Sequence, residues 1–168
     1  GMTQTAKADH YTRHEDIEYG RAPCGGAEVA LHLDLSLPRG AEGPVPLVVW
    51  IHGGGFKHGD KNWPGHRTDA RWMTRAGYAC AAINYRLGAG RGDLSAPVAE
   101  RLDALQAHRL VGFRKNLSGP SALAAMEDTL AALTWLNTHC AQFGLSGWVA
   151  LAGNSAGAIT AFNVVHLS

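Results

Sequence analysis

Hydrophobic and polar residues alternate along EVALHLDLSLP (Glu28–Pro38). Val29, Leu31, Leu33, Leu35 and Leu37 fall on one side and His32, Asp34 and Ser36 on the other. A period of two predicts a half-buried β-strand. PLVVWIHGGG differs: Leu47–Ile51 is a continuous apolar run that ends in a glycine loop, the pattern of a strand covered on both faces. GYACAAINYRL (Gly77–Leu87) and GWVALAGNSAG (Gly147–Gly157) repeat that form. Helical spacing lies between these runs. HRTDARWMTRAG (His66–Gly77) predicts a short helix with a glycine stop. In SALAAMEDTLAALTWLNTHCAQFG, Leu123, Met126, Leu130, Leu133 and Leu136 or Asn137 keep a three-or-four spacing, and Pro120 stands near the start, so a long amphipathic helix is expected there. AGAITAFNVVHL, after Ser155, reads as a helix opening on small residues. The alternation predicts an α/β fold, a mostly parallel sheet flanked by helices with right-handed crossovers, as one domain over residues 1–168.

Gly88–Ser118 exceeds a minimal crossover. It carries Arg91, Arg101, Arg109, Arg114 and Lys115 against Asp93, Glu100 and Asp103, and Val98, Leu102 and Leu105 suggest a short amphipathic helix. Two readings stay open: a small cap-like insertion over a site, or a solvated excursion with a surface helix.

Composition narrows the classes. A net charge of +1 offers no bulk attraction for nucleic acid. No apolar run approaches the roughly 18 residues of a membrane span. The opening GMTQTAKADHYTRHEDIEYG has no apolar core of a secretory leader, so a cytoplasmic location is expected; Gly1 reads as a cloning remnant and Met2 as the native start. Cys24, Cys80 and Cys140 have no metal-ligand spacing and read as buried or spare thiols. The histidines form no HExxH pattern, and neither a metal site nor a cofactor is expected.

Two loops carry candidate chemistry. A serine hydroxyl is a weak nucleophile that needs a neighbouring base and an exposed position. GNSAG (Gly153–Gly157), between a strand-like and a helix-like run, supplies the exposure: a sharp strand-to-helix turn tolerates only very small residues two before and two after the serine. Asn154 is expected to take the positive φ of that turn, since Asn tolerates it better than most residues. HGGGF (His52–Phe56) supplies the complement. Glycines let backbone N–H groups approach a developing oxyanion, and each such donor is worth about 3 kcal/mol. A phosphate loop does not fit: Asp60 stands where a P-loop needs Lys, and GxGxxG is absent.

With LDLSLP, PLVVWIHGGGFKHGDK, GYACAAINYRL, ALTWLNTHCAQFG and VALAGNSAGA in this order, the chain resembles the α/β-hydrolase esterases and lipases with an HGGG loop. These are the hormone-sensitive-lipase-like and feruloyl-esterase-like or arylformamidase-like group, and the likeness runs from about Glu15 to His166. The resemblance implies Ser155 as nucleophile, the N–H groups of Gly54, Gly55 and Ala156 as the oxyanion hole, and His52 as a residue that orients the loop. Asn154 departs from the family's Asp or Glu. The family's acid and histidine follow the serine, whereas no Asp or Glu follows Ser155 here. If helical, the stretch to His166 places that imidazole about 16 Å away along the axis.

The expected function is therefore hydrolysis of small carboxylic esters through an acyl-enzyme, incomplete in the chain as given. Alternatives are a non-catalytic hydrolase remnant that self-associates and an arylformamidase-like amide hydrolase. The fold would lack the family's C-terminal strands, leaving the serine-bearing strand as an apolar edge of the kind natural proteins avoid. A missing C-terminal half or a homo-oligomer is the expected partner, and little esterase turnover is expected from the chain alone.

Overall fold

The computed structural model describes residues 10–63, 66–107 and 119–167. Strands β1 (Tyr11–Cys24) and β2 (Ala27–Pro38) form a long antiparallel hairpin. It turns at Gly25 and Gly26, both at positive φ, as the tightest hairpin turn requires. The pattern of the sequence did not single out β1. Its register shifts between His14 and Ile17 and again between Glu18 and Gly20, and each irregularity resets the two-residue period.

Strands β3 (Val45–Ile51), β4 (Ala79–Ile83) and β5 (Leu145–Gly153) run parallel, and the sheet order is β1-β2-β4-β3-β5. β2 meets β4 antiparallel, so the sheet is mixed, with the motif loops on its parallel half. Helices α3 (Pro120–Thr138) and α4 (Ala156–Leu167) cover one face. There Leu33, Leu35, Val49, Ile51, Ala81 and Ile83 meet Ala125, Ala132, Leu136 and Ala156. Burying each such Leu or Ile contributes about 1.5–3 kcal/mol, and the alanines let the helices approach closely. Helix α1 (His66–Arg75) covers the other face, where Ala70 packs with Cys80 and Tyr11. It stops at Gly77, whose φ of 90° lets the Tyr78 amide return to the Met73 carbonyl at 2.9 Å.

β2 departs from the half-buried expectation. Asp34 and Ser36, on its polar face, are as buried as Leu33 and Leu35, so the strand is enclosed on both sides from Leu33 to Ser36. Asp34 has cationic partners there, Arg13 and Lys61, described below.

Within 88–118, a 3₁₀ turn (Arg91–Asp93) and helix α2 (Ala96–Ala107) are formed. Ala99 and Leu102 of α2 pack with Leu123 and Met126 of α3, and Arg91 pairs bidentately with Asp103 at 2.6 and 2.8 Å. Residues 108–118, with Arg109, Arg114 and Lys115, lie outside the described residues. The end of β4 is tied to α3 by a buried ion pair: Arg86 Nε and Nη2 lie 2.9–3.0 Å from the Asp128 carboxylate, and the Arg86 amide donates to Oδ2 at 2.8 Å.

Among the described residues β5 pairs only with β3. Its Trp148 and Val149 are exposed, as are Phe162 and Val165 of α4.

Candidate active site

β3 and β5 are parallel neighbours with Ile51 opposite Gly153, so the loops that follow them emerge side by side. A Cβ on Gly53 would lie 2.9 Å from the Asn154 carbonyl oxygen and 3.4 Å from Ser155 Cβ. The two motifs therefore touch. They line one open cavity of about 290 Å³ bounded by Gly54, Gly55, Phe56, Lys57, His58, Ser155, Ala156 and Ile159. Four of the residues singled out from the sequence (Ser155, Gly54, Gly55 and Ala156) meet there.

Ser155 is the hinge between β5 and α4. The positive φ expected at Asn154 falls on Ser155 itself, at 51°. The chain reverses from strand to helix at the serine, which is left exposed at the head of α4. A non-glycine residue in this region costs about 1–2 kcal/mol, and packing on either side sustains it. A Cβ on Gly157 would sit 1.9 Å from the Ile51 carbonyl oxygen, so the first turn of α4 lies directly on the end of β3. Gly157 then donates to the Asn154 carbonyl at 2.9 Å, and Ile159 to that of Ser155 at 3.1 Å. Ala156 is the first residue of the helix, where backbone N–H groups lack intrahelical acceptors and the helix dipole favours negative charge. Gly157→Ala is expected to push α4 off β3 and lower stability by about 1–3 kcal/mol, the usual cost of overpacking. A urea titration checks this; an unchanged midpoint would contradict the close approach.

The glycine loop is folded on itself. The Gly54 carbonyl accepts the amides of Lys57 and His58 at 3.2 and 3.0 Å. Gly54 has φ 128°, and a Cβ there would fall 2.0 Å from the His58 carbonyl oxygen, which excludes any side chain. Phe56 anchors the loop: its ring is buried and its carbonyl accepts the Gly88 amide at 2.8 Å.

His52 does not line the cavity. It is buried beneath the loop, its ring stacked on Tyr85 at 4.4 Å. Since a carbonyl can only accept, the 2.7 Å contact to the Gly53 oxygen places a proton on Nδ1. Tyr85 donates its hydroxyl to the His52 carbonyl at 2.6 Å. Burial lowers the imidazole pKa below its ordinary value, against the opposing pulls of the Gly53 carbonyl and the Asp60 charge. The neutral ring is thus favoured, hydrogen-bonded to backbone and stacked on Tyr85. Of the other histidines, His58 shares the cavity with Ser155. His166 packs on Phe162 near the far end of α4. His139 is half-buried on Trp135, with Nδ1 2.7 Å from the Trp135 carbonyl. Among the described residues no carboxylate lines the cavity.

Several residues outside the two motifs hold the loop from behind. Asn84 accepts the Lys61 amide at 2.7 Å and donates to Asp60 at 3.1 Å. Lys61 Nζ reaches Asp34 at 3.0 Å and Asp16 at 2.7 Å. The available signal was the polar run NYR directly after the apolar run of β4, and GDK after HGGGFKH. Neither reveals its partner, because Lys61 and Asp34 lie on different strands' worth of chain.

Comparison with known proteins agrees with this layout. The BD-FAE family model matches residues 33–105. The chain is 27% identical over 147 residues to fumonisin B1 esterase of Sphingopyxis macrogoltabida, covering 86% of this chain and 24% of that one. It is 35% identical over 121 residues to phenmedipham hydrolase of Pseudarthrobacter oxydans, covering 63% and 24%. Among solved structures, brefeldin A esterase, a bacterial homologue of human hormone-sensitive lipase, superposes with a TM-score of 0.58 at 23% identity, over 99% of this chain and 38% of that one. The chain thus spans about a quarter of the length of the curated relatives it matches. A mixed five-stranded sheet with helices on both faces gives the chain the α/β-hydrolase fold, and by sequence and fold it is similar to esterases.

Proposed function

We propose that the cavity is the nucleophile and oxyanion half of a serine hydrolase acting on small carboxylic esters. The register that sets Ile51 opposite Gly153 supports this most directly, because it brings the glycine loop and the serine turn into one cavity. In this reading Ser155 Oγ attacks the ester carbonyl carbon and gives its proton to a base. The carbonyl oxygen, now an anion, takes N–H groups from Gly54, Gly55 and Ala156. Collapse expels the alcohol, which takes the proton back from the base, and water then hydrolyses the acyl-serine. His52 orients the loop through its Gly53 contact. No step calls for a cofactor.

The base and its acid partner are proposed to come from the elements that cover the free edge of β5, either further strands of the same fold or a second copy of the chain. Exposed Trp148 and Val149 on that edge and the greater length of the relatives favour such a cover. The chain alone is then expected to turn over p-nitrophenyl butyrate hardly at all.

An alkyl fluorophosphonate probe tests the assignment in any form of the protein that hydrolyses that ester. One adduct per chain, mapped to the peptide holding Ser155, is expected. Labelling elsewhere, with Ser155 untouched, would sink the nucleophile, and absence of both turnover and labelling in every form would favour a non-catalytic remnant. An ester and its matching anilide, assayed side by side, separate ester from amide hydrolysis.

A further inference from the structure

The glycine loop is held at its front by β3 and the His52–Tyr85 contacts. Its rear end closes on a buried charge cluster that the proposed chemistry does not use. Lys61, seven residues after Gly54, is 3% exposed, and its ammonium bridges Asp34 of β2 at 3.0 Å and Asp16 of β1 at 2.7 Å. The other oxygen of Asp34 is taken by Arg13 at 2.8 Å, and Arg13 also reaches Asn62 Oδ1 at 3.1 Å. The neighbouring backbone is tied in as well. Asn84 holds the Lys61 amide, and Asp60 accepts the Asn62 amide at 2.7 Å and the Asn84 amide. A lysine buried alone would shed its proton; here burial is outweighed by Asp16 and Asp34, which raise its pKa above the ordinary value.

We propose that Lys61 is a positioning residue, an ionic strut from the β1–β2 hairpin that sets where the Gly54 and Gly55 amides stand relative to Ser155. The proposal rests on the reading of those amides as oxyanion donors. Between Gly54 and Lys61 the chain has little slack: the Gly54 carbonyl binds the Lys57 and His58 amides, and Gly59 lies so close to His52 and Gly53 that a Cβ there would fall 2.3 Å from His52 Nδ1. A shift of the strut is therefore a shift of the donors, and misplacement by about 1 Å costs on the order of a hundredfold in rate. The hairpin, remote from the cavity in sequence, becomes part of the site's framework. The positive φ of Asp16, at a register shift of β1, belongs to the same device: its amide donates to Asp34 Oδ1 at 2.8 Å while its carboxylate meets Lys61.

Amide hydrogen exchange, read residue by residue, tests this without requiring turnover. In Lys61→Met, the Lys57, His58 and Asn62 amides are expected to exchange about tenfold faster or more, while those of β3 and β4 change far less, because the loop opens locally. Lys61→Arg is expected to restore most of the protection. Asp16→Asn removes one leg at an exposed carboxylate and keeps the fold; it is expected to shift the same amides by a smaller factor, and it carries the test if Lys61→Met does not fold. Loop protection unchanged in Asp16→Asn and in folded Lys61→Met, or lost equally across loop and strands, would overturn the strut. In a hydrolysing form, Lys61→Met should lower kcat with KM nearly unchanged. If the fluorophosphonate fails to label Ser155 while the exchange pattern appears as described, the catalytic reading fails and the strut stands as a loop support alone.

Discussion

Ser155→Ala is expected to lower kcat for p-nitrophenyl butyrate by up to about a millionfold in any form of the protein that hydrolyses it, while leaving the fold intact. In serine hydrolases, loss of the nucleophile costs about this much, and oxyanion donors with substrate binding still give about 10³–10⁴-fold over water. The same residual is expected here, since Gly54, Gly55 and Ala156 keep their places. Stability should hardly fall. Ser155 is exposed, so its hydroxyl fills no core space; substitution by alanine leaves a positive φ as costly as before. Kinetics and a thermal melt on the same preparation check both halves. Retained turnover in the folded variant would remove Ser155 from the mechanism. A large drop in Tm would mean that the hydroxyl, and not only the backbone, maintains the turn.

The largest stability loss is expected from Asp128→Ala. Asp128 and Arg86 are each 2% exposed, and removal of the carboxylate leaves the guanidinium buried. Its remaining partners are the Pro23 and Asp93 carbonyls at 3.0 and 2.7 Å, and Glu127 at 3.9 Å. Breaking a buried pair from one side costs about 3–5 kcal/mol, a large share of the 5–15 kcal/mol that holds a typical domain. Ionising Asp128 in this place is itself costly: burial raises its pKa above the ordinary carboxylate value even with Arg86 hydrogen-bonded to it. The pair is thus expensive to break and of modest net worth when whole. Arg86→Met/Asp128→Leu should accordingly recover most of what Asp128→Ala loses. Urea midpoints for the three proteins decide the matter; Asp128→Ala within about 1 kcal/mol of the parent would show that Arg86 finds other partners or solvent.

The sequence by itself determined the features that depend on neighbours a few residues away. Apolar runs ending in HGGG and GNSAG marked the strand ends. The three-or-four spacing marked α3, and Gly77 and Pro120 marked a helix stop and a helix start. These signals are legible because helix periodicity, turn geometry and close backbone approach act within a few positions along the chain. Even there, local propensity placed the positive φ on Asn154, whereas the packing of Gly157 on Ile51 puts it on Ser155. Only the tertiary structure decided the rest. β1 was hidden by its two register shifts. Asp34 read as a solvent-facing residue of an alternating strand, yet Arg13 and Lys61, twenty-one and twenty-seven positions away, make its burial possible. Arg86 meets Asp128 across forty-two positions. Which charges meet depends on strand order and on which helix covers which face. Those follow from how the whole chain buries its apolar surface, and no short window of sequence carries that information.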